Sequence, residues 1–329
     1  MSVLVTGGAG YIGSHMTYAL IDRGEAVVVL DDLSTGVRDL VSEKAAFVQG
    51  DAGDQAAVRR IIQDHGVDSV IHFAGSIVVP ESVSDPLLYY AGNTMASRSL
   101  IEACVKEGVK HFVFSSTAAV YGSPQTESVS EASPTVPINP YGRSKLMTEW
   151  ILEDVSRAHD FSHIALRYFN VAGADALGRT GQSSPRATHL IKRASQVALG
   201  HLPHLDIFGT DFPTPDGTGI RDYIHVTDLV GAHLLALDAL RSGAGCGKYN
   251  CGYGHGFSVR EIIAEMEKVT HRPLPVKEAA RRPGDPAVLI ADSAKLKTAL
   301  NWRPEHEDIQ TIVRSALDWE RRFNERQSR

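Results

Sequence analysis

The chain is poor in cysteine, has no excess of basic charge and contains no long apolar run, and each shortage removes a class of protein. Its three cysteines, Cys104, Cys246 and Cys251, are an odd number without the paired spacing of a metal site. This argues against a disulfide scaffold and for a reducing compartment. Lys and Arg total 33 against 39 Asp and Glu, a net charge of −6. With no basic run beyond a loose Arg-rich tail, neither nucleic acid nor a membrane surface is an expected partner. No apolar stretch approaches the ~18–20 residues that span a bilayer. The first apolar run starts at Ser2, so we expect no signal peptide and a cytoplasmic location. Internal repeats and low-complexity segments are also missing. At 329 residues and 43% hydrophobic, two lobes are the default expectation.

What is present is a stretch around which the rest can be arranged. Val3–Gly13 reads VLVTGGAGYIG: a buried strand over Ser2–Thr6, a turn at Gly7, Gly8 and Gly10, and the opening of a helix whose first turn holds Gly13. Such glycines permit the tight turn, let the backbone approach a pyrophosphate, and pack helix on strand. The helix then aims its free N–H groups and positive dipole end at the phosphates. The spacing is GxxGxxG, so context must support it: a strand before, a helix after, and an acid about 20 residues on. All three are there. Thr17–Arg23 continues the helix, Gly24 ends it, and AVVVLD puts Asp31 at the tip of a second strand.

Apolar runs of strand length alternate with helical stretches through the first half: SVLVT, AVVVLD, AFVQGD, SVIHFAG, HFVFSST and HIALRYFN. Strands hydrophobic throughout and separated by helices predict a parallel sheet covered on both faces, an α/β doubly wound fold of Rossmann type. Ligands then lie at the carboxyl ends of the strands. There, in the turn Asp31–Gly36 (Asp31, Asp32, Ser34, Thr35, Gly36), a carboxylate suits the hydroxyls of an adenosine ribose and repels a 2′-phosphate, which favours NAD over NADP. Asp51 follows the third strand, either as an acceptor for the adenine amino group or as a simple turn residue. Phe73, Ala74 and Gly75 follow the fourth, offering small residues where a dinucleotide passes. Asn93 lies on a helix over Pro86–Lys106, facing either the sheet or solvent.

The fifth strand ends at Thr117. Beyond it, Asn139 caps a helix with Pro140 at its first position. Tyr141 and Lys145 share one face of that helix, their Cβ atoms about 6 Å apart. A tyrosine acting as base near neutrality needs its pKa lowered from about 10 by roughly three units, or about 4 kcal/mol. One ammonium at ~6 Å supplies roughly 3 kcal/mol at an effective dielectric of ~20. Lys145 with the positive charge of an oxidised nicotinamide is enough. The expected chemistry is removal of a hydroxyl proton coupled to hydride loss from its carbon, with Thr117 orienting that hydroxyl. The bland alternative is a surface Tyr141 with Lys145 paired to Glu149.

TGGAGYIG at Thr6–Gly13, Thr117 and YGRSK at Tyr141–Lys145 resemble the extended short-chain dehydrogenase/reductase family. Within it the likeness is to the UDP-sugar 4-epimerases, carried by VIHFAG, PESV, SSTAAVYG, NPYGRSKLMTE, LRYFNVAGA and above all DGTGIRDYIHVTDL at Asp216–Leu229. The resemblance implies that Tyr11 and Ile12 sit on the pyrophosphate, Asp31 on the adenosine ribose, and Asp51 with Ala52 on the adenine. Phe73–Gly75, Asn93, Lys145 and Phe169 complete the NAD site. For a UDP-sugar substrate it implies Arg221 and Arg282 on the phosphates, Asn170 and Leu190 on the nucleotide, Phe208 by the uracil, Asp206 within the substrate site, and Asp285 on the uridine ribose. The implied reaction exchanges UDP-galactose and UDP-glucose through a 4-keto sugar, with NAD kept bound. No metal is expected. A homodimer through Pro86–Lys106 and Tyr141–Arg157 is a further family expectation.

Related 4,6-dehydratases place Asp-Glu after the Ser/Thr; here those positions are Ala118 and Ala119, so elimination is not expected. Three positions depart from the family pattern: Ile77 where a Lys is common, His189 where a substrate-contacting Asn is common, and Leu289 at the position that gates sugar size. We expect a dinucleotide lobe over residues 1–170, with 219–240 returning to it, and a smaller α/β substrate lobe in the rest of 171–329. Ser258 and Glu261 predict a capping box, and Asp308–Phe323 a C-terminal structural helix. The competing readings are an epimerase for another UDP-sugar, N-acetylated or a pentose, and an NAD-sensing regulator. The last has no use for Tyr141, Lys145, Arg221 or Arg282.

Overall fold

The computed structural model describes residues 2–184, 187–282 and 284–327. Seven strands form one parallel sheet: β1 (Ser2–Thr6), β2 (Ala26–Asp31), β3 (Ala46–Gln49), β4 (Val67–His72), β5 (His111–Thr117), β6 (Ser162–Tyr168) and β7 (Gly247–Cys251). Their spatial order is 7-6-5-4-1-2-3. The order reverses between β1 and β4, which opens the crevice where doubly wound sheets take their ligands. The sheet has the architecture expected, and its outer strand β7 comes from the second half of the chain.

The strands are apolar throughout because both faces are covered. Side chains alternate along a strand, so Val3 and Val5 of β1 join one core and Leu4 the other. The first core is closed by α1 (Tyr11–Asp22), through Met16 and Leu20, and by a later helix, Val226–Arg241, through Leu229, Val230 and Leu237. The second is closed by α2 (Gln55–His65), through Val58, Ile61 and Ile62, and by α3 (Ala96–Lys106), through Leu100 and Ile101. Leu4 is fully buried, and its truncation to alanine costs about 2–5 kcal/mol at such a site.

Local signals behave as their chemistry demands. Asn139 accepts from the Gly142 N–H at 2.8 Å and opens α4 (Pro140–Ala158). Ser258 and Glu261 form the expected capping box for Val259–Thr270. The C-terminal helix runs Ile309–Gln327, longer than predicted.

One element differs in kind. The single helix expected over Pro86–Lys106 is a short helix (Pro86–Tyr89), a π-helical segment (Tyr90–Met95) and then α3. The widened turn carries Asn93 inward, where it is 1% exposed. Such bulges recur at functional sites.

The remaining strands are short. Ile220–Arg221 lies between Phe257–Ser258 and Val288–Ala291, and the latter also pairs Ser128–Val129 from the first half. Tyr223–His225 pairs Asn170–Ala172, and Leu205–Phe208 pairs Val276–Ala279. Among the described residues no helix is long and apolar enough to cross a membrane, and no cluster of His, Cys, Asp or Glu could hold a metal ion.

Candidate active site

The glycine turn leaves a cradle that only backbone can line. A Cβ on Gly7, which has φ +70°, would lie 2.6 Å from the Ala74 nitrogen, and one on Gly13 would lie 2.1 Å from the Gly7 carbonyl oxygen. Gly10 is the N-cap of α1 and no side chain caps that helix, so its first N–H groups are available to an anion. The Tyr11 hydroxyl donates to the Gly173 carbonyl at 2.6 Å, which turns that side chain toward the second half of the chain. At the tip of β2, Asp31 accepts from the Ala9 and Leu33 N–H groups, each at 2.9 Å. Burial raises its pKa, and those bonds oppose the rise. A Cβ on Gly36 would lie 2.7 Å from Asp31 Oδ1, so that loop too is fitted to the carboxylate.

Asp32 accepts from the N–H and hydroxyl of Ser34 at 2.8 and 2.7 Å, and Thr35 belongs to the same loop. Asp51 accepts from the Gly53 N–H at 2.7 Å, the turn geometry weighed from sequence, while remaining exposed beside buried Ala52. Asn93, whose direction the sequence left open, faces inward. Its oxygen accepts from the Ser76 N–H at 2.8 Å, and its nitrogen donates to the Ser76 carbonyl and the Ser144 hydroxyl, each at 3.0 Å. It thereby ties the loop following Phe73–Gly75 to α4. Ile77 is half exposed, at 51%.

At the end of β5 the three residues expected to do chemistry come together. Tyr141, Lys145 and Thr117 are 9%, 3% and 8% exposed. The Thr117 hydroxyl hydrogen-bonds the Tyr141 phenol, which lowers the phenol's pKa, but burial raises it more. The expectation that Lys145 needs the added charge of an oxidised nicotinamide to bring Tyr141 toward neutrality concerns the loaded site, whereas these shifts are those of the chain alone. Desolvation of the phenolate dominates in the chain by itself, and the same burial lowers Lys145 to about 8. Lys145 Nζ donates to the Ser115 carbonyl at 3.1 Å. The surface pairing of Lys145 with Glu149 is also absent, because Glu149 is paired with Arg167.

The second half supplies the facing wall. A cavity is lined by Tyr11, Asn170, His189 and Leu190, together with Gly173 and Tyr223. His189 is the N-cap of the helix Leu190–Ala198, and its ring nitrogen Nδ1 lies 3.3 Å from Gln182 Nε2. Burial lowers its pKa, so the imidazole is neutral at pH 7. Arg221 sits beside Leu289 across paired strands, and its Nη1 donates to the Ile220 carbonyl at 2.9 Å. Arg282 stacks its guanidinium 4.0 Å over the Phe208 ring. Asp206 lies on the same face of its strand as Phe208, 3.4 Å from His204, and Asp285 is exposed near Arg221. Leu289 packs in a small buried cluster with Phe169, Ala118 and Tyr121.

Sequence reasoning missed two features. Lys145 lies 5.0 Å over the Phe114 ring, and a fully buried Glu149–Arg167 pair underlies the site. For the second, the four-residue spacing that Glu149 shares with Tyr141 and Lys145 marks its helix face but not its partner on β6.

Comparison with known proteins defines the class. The model of the NAD dependent epimerase/dehydratase family matches residues 3–252, and the chain belongs to that family. A UDP-glucose 4-epimerase of Azospirillum brasilense is 56% identical over 319 residues, covering 97% of this chain and 92% of that protein. Among solved structures, UDP-glucose 4-epimerase from Brucella ovis in complex with NAD aligns with a TM-score of 0.93 at 44% identity, covering 96% and 97% of the two chains. The Bifidobacterium longum enzyme in complex with NAD+ and UDP aligns with a TM-score of 0.93 at 38% identity, covering 98% of each.

Proposed function

We propose that this chain is a UDP-glucose 4-epimerase, interconverting UDP-galactose and UDP-glucose. The observation that carries the reading is the meeting of Thr117, Tyr141 and Lys145 at the carboxyl end of β5, beside a backbone-lined phosphate cradle. The cradle of Gly7, Gly10 and Gly13 with the N–H groups of Tyr11 and Ile12 fits a pyrophosphate. Asp31, with Asp32, Ser34, Thr35 and Gly36, fits the adenosine ribose, and Asp51 with Ala52 the adenine. Phe73, Ala74, Gly75, Asn93, Lys145 and Phe169 fit the nicotinamide half of NAD. When bound, NAD supplies a reversible hydride acceptor for the sugar C4.

The residues of the chain handle the proton and the geometry. Thr117 holds the 4-hydroxyl oxygen, and Tyr141 takes its proton as the carbinol becomes a ketone. The 4-keto sugar turns within the pocket, and Tyr141 returns the proton to O4 of the other epimer. Every group ends each cycle in its starting protonation state. Ala118 and Ala119 offer no acid or base for loss of water. Arg221 and Arg282 suit the two phosphates, as forked guanidinium groups do. Asn170, His189 and Leu190 contact the nucleotide, Phe208 and Asp206 the uracil, Asp285 the uridine ribose, and Leu289 borders the sugar. The substrate lobe comprises most of residues 171–329, closing on a dinucleotide lobe of 1–170 with 219–240 and also strand β7 (Gly247–Cys251), which pairs into its sheet. The protein works in the cytoplasm as a homodimer.

The test is to incubate purified protein with UDP-galactose, adding no cofactor, and follow UDP-glucose. Turnover supports both the reaction and tight retention of NAD. Failure with NAD supplied moves the assignment to another UDP-sugar. Leu289, with its apolar side chain on the gating position, makes UDP-N-acetylgalactosamine the second substrate to assay. Failure to bind UDP favours the regulator.

A further inference from the structure

We propose that Glu149 and Arg167 are positioning residues, a buried ion pair that holds the Thr117 hydroxyl and the Tyr141 phenol in register. The proposal rests on the reading of Tyr141 as the base. Tyr141, Lys145 and Glu149 follow one another at intervals of four on α4, so all three face the sheet. Arg167, on β6, donates to Glu149 through Nε at 2.9 Å and through Nη2 at 2.5 Å. The two side chains are 2% and 1% exposed. Glu149 Oε1 also accepts from the Ser116 hydroxyl at 2.5 Å, and Ser116 immediately precedes Thr117 on β5. Arg167 Nη1 donates to the Tyr121 hydroxyl at 3.0 Å, and Tyr121 closes the turn that follows Thr117. Tyr121 in turn donates to Asn250 at 2.6 Å.

Thr117 is therefore held on both sides in sequence by groups bonded to one ion pair, and the carboxylate of that pair stands on the helix that carries Tyr141. The end of β5 and the rotation of α4 about its axis are set against each other by a single forked contact. A buried ion pair adds little stability over packed apolar residues of similar volume. What the fork does add is direction. At a reacting centre direction matters, since a displacement of about 1 Å can lower the rate about 10²-fold.

The test uses the holoenzyme of the double variant Glu149→Leu/Arg167→Met, which removes both charges together. We expect bound NAD per chain and KM for UDP-galactose to stay within about twofold of wild type, Tm to hold or rise, and kcat to fall about tenfold or more. A kcat within about twofold of wild type in the folded double variant overturns the proposal, as does a kcat loss matched by equal loss of NAD. Should the double variant not fold, Arg167→Lys, which keeps the charge and loses the fork, is read the same way. Tyr141→Phe is assayed alongside. An active Tyr141→Phe enzyme removes the base assignment itself, whereas an inactive one beside a fully active double variant removes only the positioning role.

Discussion

The Lys145 ammonium donates to the Ser115 carbonyl, a bond that crosses from α4 to the strand ending in Thr117. Helix and strand thus meet through the cation as well as through the Thr117–Tyr141 hydroxyl pair. With Tyr141 raised by burial and Lys145 at about 8, the chain at pH 7 stores a neutral phenol beside an ammonium. In the proposed mechanism, Tyr141 removes the proton only when further positive charge is near.

Tyr141→Phe keeps the ring and removes the one oxygen that can take the proton. It should retain NAD and bind UDP normally while turnover falls roughly 10³-fold or more, within the range of lost general-base catalysis. The check pairs a UDP-glucose assay with the absorbance of bound cofactor. Near-normal turnover in this variant would sink the mechanism.

Lys145→Met separates activity from stability. The folded pKa of about 8 lies below the unfolded value of about 10.4. Between those values the unfolded chain binds more protons, so stability rises with pH through that window. Below pH ~8 the full cost of the buried ammonium is present. Its removal at pH 7 should leave Tm unchanged or higher, while kcat falls about 10²-fold. A Tm lowered by the substitution would mean that the ammonium's contacts outweigh its desolvation.

Much of this arrangement was legible in the residues. Alternating apolar runs predicted the parallel sheet, because a strand buried on both faces has no polar positions to spare. Gly7, Gly13 and Asp31 predicted the cradle, since their spacing is dictated by covalent geometry over a few residues. The π-helical turn at Tyr90–Met95 was hidden because a helix with one wider turn keeps nearly the same hydrophobic pattern. The Glu149–Arg167 pair was hidden because its partners are 18 residues apart on different elements, and only the fold brings them together. The raised pKa of Tyr141 reflects burial, which a helical spacing does not report.

Acid should destabilise the protein well before its carboxylates are all protonated. Burial lowers His15, His163 and His233 to about 4, and His72 and His225 to about 3. Each folded value lies below the unfolded ~6.5, so the unfolded state binds more protons in the interval and stability is lost as pH falls through it. Each contributes up to ~1.4 kcal/mol per pH unit. Raised carboxyls at Asp31 and Asp222 oppose this, but they are fewer. Urea midpoints should drop steeply from pH 7 to pH 5, and equal midpoints would contradict neutral burial of these rings.

The face formed around α4 and the broken helix before α3 carries apolar side chains into solvent. Leu87, Met95 and Trp150 are 77%, 57% and 52% exposed, and Leu88 is 46% exposed. Apolar groups gathered on one face suit an interaction surface, and in the proposed homodimer a second copy related by a two-fold axis would cover this patch with its own equivalent. Because α4 also carries Tyr141, Lys145 and Glu149, covering Trp150 would stiffen the helix on which the proposed base stands. Leu87→Lys/Trp150→Asp places opposite charges where apolar contact is needed. Light scattering should then give the mass of one chain where the unaltered protein gives two, with kcat lowered more than NAD content. A single-chain mass for the unaltered protein at micromolar concentration would leave this face without its partner and refute the dimer.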